Sequence, residues 1–251
     1  MSILYDKSSY MSLKITSNYS PNFSSIRRIK KNIKFLIYHY TGMRSETKAI
    51  NWLTNVKSKV SSNYFIKRNG RIICLVPDLY ISWHAGKSRW KNFRSLNKNS
   101  IGIEIANKGH QFGYQKFSKK QISNLIKLSR FLIKKFSIKR KNILGHSDIA
   151  FNRKKDPGEK FPWQYLAKKG VGIWHNLQKK ILIKARKTKI DRNYENKFYK
   201  YLRKFGYFTN KLSKKQKTNL LKAFQRRFRP ELVNGKIDQE CFLIAKKLSK
   251  L

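Results

Sequence analysis

The chain has 251 residues, 40% hydrophobic and 14% aromatic, enough apolar material to bury a core and to exclude wholesale disorder. Its 59 Lys and Arg against 12 Asp and Glu leave +47. The charge runs from end to end with no tail or stripe, which argues against a dedicated nucleic-acid reader and leaves a weak, salt-dependent attraction to polyanions. Two distant cysteines, Cys74 and Cys241, exclude a disulfide framework and a thiolate metal cluster.

Residues 1–32 are polar and read as an irregular lead-in. IKFLIYHY (33–40) is an apolar, β-branched and aromatic run, a strand. Residues 46–57 carry Ile50, Leu53 and Val56 at helical spacing. In 63–77 two strand-like runs flank Asn69-Gly70, the preferred pair of a two-residue hairpin turn. In SIGIEIAN (100–107), Ile101, Ile103 and Ile105 share one face, and Gly102, Glu104 and Ala106 the other. Residues 118–136 form an amphipathic helix, and NILGHS (142–147) a short strand ending in polar residues. Pro162 opens a helix before WQYLAKKG. This mixture predicts an α/β fold over 33–180, with a mixed central β-sheet flanked by helices. A basic connector follows at 181–192. Three helical patterns (195–205, 214–228 and 237–249), punctuated by Gly206 and the 230–235 stretch, predict a small three-helix domain over 193–251.

No apolar run reaches 18 residues, so no membrane span is expected. The N-terminus shows neither a basic flank before an apolar stretch nor a cysteine for a lipid anchor, and a cytoplasmic address is the expectation.

His39 and His146 each close an apolar strand, where α/β proteins commonly place their sites. Either one alone reads more readily as a hydrogen-bonded core or rim residue; two, each closing an apolar strand, make a site an equal reading. Asp156 sits in an Asp-Pro-Gly turn ten residues after His146. Two imidazoles and a carboxylate match the ligand count of a catalytic zinc, with a fourth position left for water. No HExxH pair occurs, which excludes a thermolysin-like metal helix. Glu104 is a lone carboxylate in an isoleucine-rich strand. Burial there would raise its pKa toward that of a general base, and the alternative is a strand Glu paired with a lysine.

The pieces IYHYT, VSSNYFIKRNGRIICLVPD, WHAGKS, NSIGIEIAN and GHSDIAFNRKKDPGEKFPW occur in this order. Together they resemble the zinc N-acetylmuramoyl-L-alanine amidases of the AmpD type, a superfamily that includes the peptidoglycan recognition proteins. The resemblance spans roughly 31–175. It implies that His39, His146 and Asp156 bind Zn2+, that Glu104 is the acid/base residue, and that Lys154 stabilises the transition state. His84, in WHAGKS, falls on a segment bordering the family's substrate cleft. It is a candidate substrate-binding residue, with a structural role equally open. Asn63 departs from the pattern, standing where many relatives have His, which puts local packing in doubt. LRKFGYF (202–208) and LLKAFQRRFRPELVNGKID (220–238) resemble a three-helix peptidoglycan-binding domain.

The resemblance thus implies zinc-dependent hydrolysis of the amide between N-acetylmuramic acid and L-alanine, with peptidoglycan or anhydro-muropeptides as substrate. The tail is expected to concentrate the chain on polymer and take no part in chemistry. The alternatives are a non-catalytic peptidoglycan recognition module and a basic nucleic-acid-binding protein. The sequence leaves oligomeric state open.

Overall fold

The computed structural model describes residues 13–251. In chain order the strands are β1 (Ile15–Ser17), β2 (Phe23–Ser24), β3 (Phe35–Tyr40), β4 (Tyr64–Ile66), β5 (Ile72–Cys74), β6 (Ile81–Ser82), β7 (Arg89–Trp90), β8 (Phe93–Arg94), β9 (Ser100–Ile105) and β10 (Ile143–Gly145). Six of them join in one sheet of order β1-β5-β4-β9-β3-β10, in which only the β4–β5 pair is antiparallel. The remaining strands form two short antiparallel ribbons, β2 with β6 and β7 with β8. The helices are α1 (Glu46–Thr54), α2 (Lys119–Phe136), α3 (His146–Ile149), α4 (Trp163–Lys168), α5 (Lys179–Arg186), α6 (Arg192–Phe205), α7 (Lys214–Phe228) and α8 (Gln239–Leu248). Among the described residues, no helix is long and apolar enough to cross a membrane.

Strand β3 explains the layering. Phe35, Leu36, Ile37 and Tyr38 are all buried, as a strand covered on both faces requires. Leu36 and Tyr38 join Ile101, Ile103 and Ile105 against Ile122, Leu125 and Leu132 of α2. That helix starts on a capping box, Ser118 with Gln121, as its sequence pattern dictates. Phe35 and Ile37 point the other way, into a core shared with Leu144 and with Phe198, Leu202, Phe224 and Leu248 of α6, α7 and α8. The three C-terminal helices therefore cover the second face of the sheet; the shift in composition near residue 193 is not a break in packing.

Three local readings change. The lead-in supplies an edge strand: β1 pairs parallel with β5, Ile15 opposite Ile72. Three β-branched or small residues among Ser and Asn are too short a run to read from sequence. The segment expected as a connector, 181–192, holds most of α5, which buries Leu182 and Ala185. The hairpin has a three-residue loop: Lys67 N–H donates to Arg71 C=O, Gly70 N–H donates to Lys67 C=O, and Gly70 alone is left-handed at φ +87°. This is a turn followed by a glycine bulge. It fits because the loop rests on α2, where a Cβ at Gly70 would lie 2.9 Å from the Lys120 carbonyl oxygen.

Candidate active site

Strand register assembles the site. His39 of β3 pairs with Glu104 of β9, so both side chains leave the same face of the sheet at one level. On the other side of β3, Gly145 pairs with Tyr38, and the next residue is His146. The Ser147 N–H then donates to the Asp156 carbonyl at 2.8 Å, bringing the Asp-Pro-Gly turn beside His146.

The result is a triangle. His39 Nδ1 and His146 Nδ1 lie 2.9 Å apart, and each lies 3.1 Å from Asp156 Oδ2. The residues are 1%, 2% and 5% exposed. They are the one group of three potential metal-ligating side chains with converging atoms among the described residues. Burial, and then the neighbouring His146, push the His39 pKa down to about 4, which keeps its imidazole neutral at pH 7. Burial works against the Asp156 carboxylate, but His146 and His39 outweigh it and hold its pKa well below the ordinary value.

The hydrogen bonds behind the triangle assign its tautomers. Ser100 Oγ donates its single proton to the Leu96 carbonyl (2.6 Å), so it accepts from His84 Nε2 at 3.1 Å. The neutral His84 then accepts at Nδ1 from His39 Nε2 (3.0 Å). This leaves His39 Nδ1 as a bare lone pair. His146 Nε2 lies 3.2 Å from the Ala85 carbonyl, which can only accept, and 3.3 Å from Arg153 Nη2, whose two protons go to the Ala85 and Lys87 carbonyls; with Nε2 donating to Ala85, the His146 Nδ1 is bare as well. Two lone pairs and a carboxylate oxygen at about 3 Å repel one another unless a cation sits among them. A tetrahedral zinc with bonds of about 2.0–2.1 Å separates its ligand atoms by roughly 3.3 Å, close to these edges. The donor set fits that ion.

His84 is thus a support for His39. Both its nitrogens are engaged, and it offers none to a substrate. The signal for it lay in SIGIE: a Cβ on Gly102 would lie 2.4 Å from His84 Cγ, so the one glycine in an isoleucine-rich strand makes room for the ring. Asn63 is fully buried and satisfied. It donates to the Val76 carbonyl and accepts from Ser82 Oγ and the Gly102 N–H.

The triangle opens into a cleft of about 430 Å3 that Glu104, Lys154, Trp52, Trp83 and His110 also line. Glu104 Oε2 is buried with no hydrogen-bond partner. Burial, and then Asp156, push the Glu104 pKa up to about 8, opposed by Lys154. A carboxyl so placed exchanges protons near neutrality. Sequence reasoning missed the strut at the rim, where Tyr40 Oη bonds His110 Nδ1 (2.8 Å) and His110 Nε2 bonds Glu159 (3.1 Å). His110 stacks on Tyr114 there. No local pattern joins residues 40, 110 and 159.

Residues 29–159 match the family described as N-acetylmuramoyl-L-alanine amidase. The chain is 36% identical over 232 residues to N-acetylmuramoyl-L-alanine amidase AmiD of Escherichia coli, covering 86% of this chain and 82% of that one. It is also 36% identical over 105 residues to the 1,6-anhydro-N-acetylmuramyl-L-alanine amidase AmpD of the same organism, covering 42% and 55%. Among solved structures, AmiD in complex with anhydro-N-acetylmuramic acid-L-Ala-D-γ-Glu-L-Lys superposes with a TM-score of 0.77 at 32% identity, covering 90% and 91%. AmpDh3 from Pseudomonas aeruginosa superposes at 0.76 with 28% identity, covering 99% and 98%.

Proposed function

The chain belongs to the N-acetylmuramoyl-L-alanine amidase family, and we propose that it cuts the amide between N-acetylmuramic acid and L-alanine with a zinc ion held by His39, His146 and Asp156. The observation that carries the reading is the unpartnered Glu104 carboxyl facing the same cleft as the three converging ligands. Bound zinc supplies Lewis acidity: it acidifies water and polarises a carbonyl. The chain's own groups do the rest. Glu104, whose carboxyl faces the cleft beside the ligands, takes the proton of the attacking water and hands it to the departing L-alanine amine. Lys154 opposes the negative charge that grows on the scissile carbonyl oxygen, a kind of help typically worth about 10²–10³ in rate. His84, Ser100 and the Ala85 carbonyl hold the two imidazoles in the tautomer that binds metal.

Muropeptides are the substrate class this reading favours. The AmiD and AmpDh3 structures include complexes with an anhydromuramyl peptide and an anhydromuramic pentapeptide. The C-terminal helices, by their sequence likeness, add affinity for polymeric wall, and a cytoplasmic chain would meet soluble anhydro-muropeptides instead. The test is product analysis on soluble anhydro-muropeptides and on sacculi, with zinc and with chelator. Release of free peptide that stops in chelator and returns with zinc supports the proposal. Binding without cleavage in the presence of zinc refutes it in favour of a recognition module.

A further inference from the structure

The C-terminal helices were expected to stand apart from the chemistry, yet two of their residues reach the turn that carries His146. Asp148, two residues beyond His146, is 1% exposed, and its carboxylate gathers three donors. Oδ2 accepts from the Gly145 N–H at 2.8 Å and from Arg227 Nη1 of α7 at 2.5 Å. Oδ1 accepts from the hydroxyl of Tyr207, just beyond α6. Arg227 also donates through Nη2 to the Ile143 carbonyl at 2.9 Å. One guanidinium therefore ties the first residue of β10 to the carboxylate that closes the turn after it, and His146 lies between the two anchor points. The guanidinium is itself held over the Trp163 ring at 4.4 Å, and Arg227 and Tyr207 are 2% and 1% exposed.

We infer that Arg227 and Tyr207 are positioning residues for the metal ligand His146, acting through Asp148, so that the C-terminal helices are part of the metal centre's support. The inference rests on the reading of His39, His146 and Asp156 as a zinc site. The physical argument is one of tolerance. Three ligand atoms converge within about 3 Å of one another, and such a set must be held to within about 0.5 Å to bind well. Asp148 alone cannot hold the turn. Without its cation the carboxylate would be a buried charge left with only the Gly145 N–H and the Tyr207 hydroxyl as donors, which favours a shift of the turn toward water. Tyr207 fixes the other oxygen and so the rotation of the carboxylate. Outer groups that orient ligands are worth about 10- to 100-fold in metal affinity, and the clamp belongs to that class although it acts through the backbone.

The test uses the full chain. Zinc affinity is measured by chelator competition, and ligand geometry by the visible spectrum of the cobalt-substituted protein. Arg227→Met should weaken zinc by about 10- to 100-fold and alter the cobalt spectrum. Tyr207→Phe, whose ring stays packed on Trp90, should weaken zinc several-fold and keeps the test decisive if the arginine variant does not fold. Phe198→Leu is the control. It thins the same core and is none of the three donors to Asp148, and should lower the melting temperature while leaving zinc affinity and spectrum as in wild type. Wild-type affinity and spectrum in folded Tyr207→Phe and Arg227→Met would overturn the inference. A wild-type protein that takes up no zinc would overturn the metal reading beneath it.

Discussion

Replacing Glu104 by Gln should make the metal-free protein more stable and the enzyme nearly inactive. Its pKa rises from 4.5 to about 8 on folding, through burial and then the neighbouring Asp156. The usual carboxylate case is thus reversed: stability is full below about pH 4.5, falls as pH rises through that value, and reaches its floor above about pH 8. At pH 7 the buried charge-bearing group costs at most roughly 3 kcal/mol, and at pH 5 under about 1 kcal/mol. Glutamine resembles the protonated acid in size and never ionises, so Glu104→Gln removes the cost. Urea unfolding of chelator-treated protein at pH 5, 7 and 8.5 should show the variant gaining on wild type as pH rises. The same variant, loaded with zinc, should lose about 10²–10⁴ in kcat, the contribution of a positioned proton shuttle, and should lose the acid limb of its pH–rate profile. A variant with wild-type activity, or a stability difference that does not grow with pH, would refute the argument that this half-buried residue carries an unpaired, catalytic carboxyl.

Three other substitutions separate the remaining roles. His84→Phe should fill the space beside Gly102 but leave His39 Nε2 without an acceptor, weakening zinc by about 10- to 100-fold in a chelator titration. Lys154→Met should lower kcat and kcat/KM together with KM little changed, whereas Lys155→Met, on an exposed side chain, should be nearly silent; equal effects in steady-state assays would reduce Lys154 to surface charge. Trp52 is 51% exposed at the cleft rim, an unfavourable place for an indole without a binding partner. Trp52→Ala should raise KM for muropeptides about 5- to 50-fold, the worth of roughly 1–2 kcal/mol of ring contact, with kcat little changed.

What could be read in the sequence was local or periodic. The apolar runs ending in His39 and His146, the rigid Asp-Pro-Gly turn and the misplaced acid of SIGIE each announce themselves within ten residues, and parallel pairing brings them together. The resemblance then assigned them roles. What escaped depends on distance or on camouflage. Arg227 meets Asp148 across 79 positions, and in a chain with 59 basic residues nothing in AFQRRFRP tells a buried arginine from a solvated one. Arg229, also buried, pairs with Asp238 and Glu240 in the same stretch. The sequence left His84 open between a substrate contact and a structural role because its partners, Ser100 and Gly102, lie on strand β9, distant from it in the chain.

The shared core of the sheet and the C-terminal helices sets an order of events during synthesis. A chain emerges from the ribosome N-terminus first, so His39, Glu104, His146 and Asp156 are all outside before Arg227 is made. Until α7 and α8 follow, Phe35, Ile37 and Leu144 face water and Asp148 has no cation. A nascent or prematurely terminated chain therefore carries every reactive side chain but not the scaffold that aligns them. The packing around His146 is thus complete only once α7, which carries Arg227, has been made and has closed over the sheet.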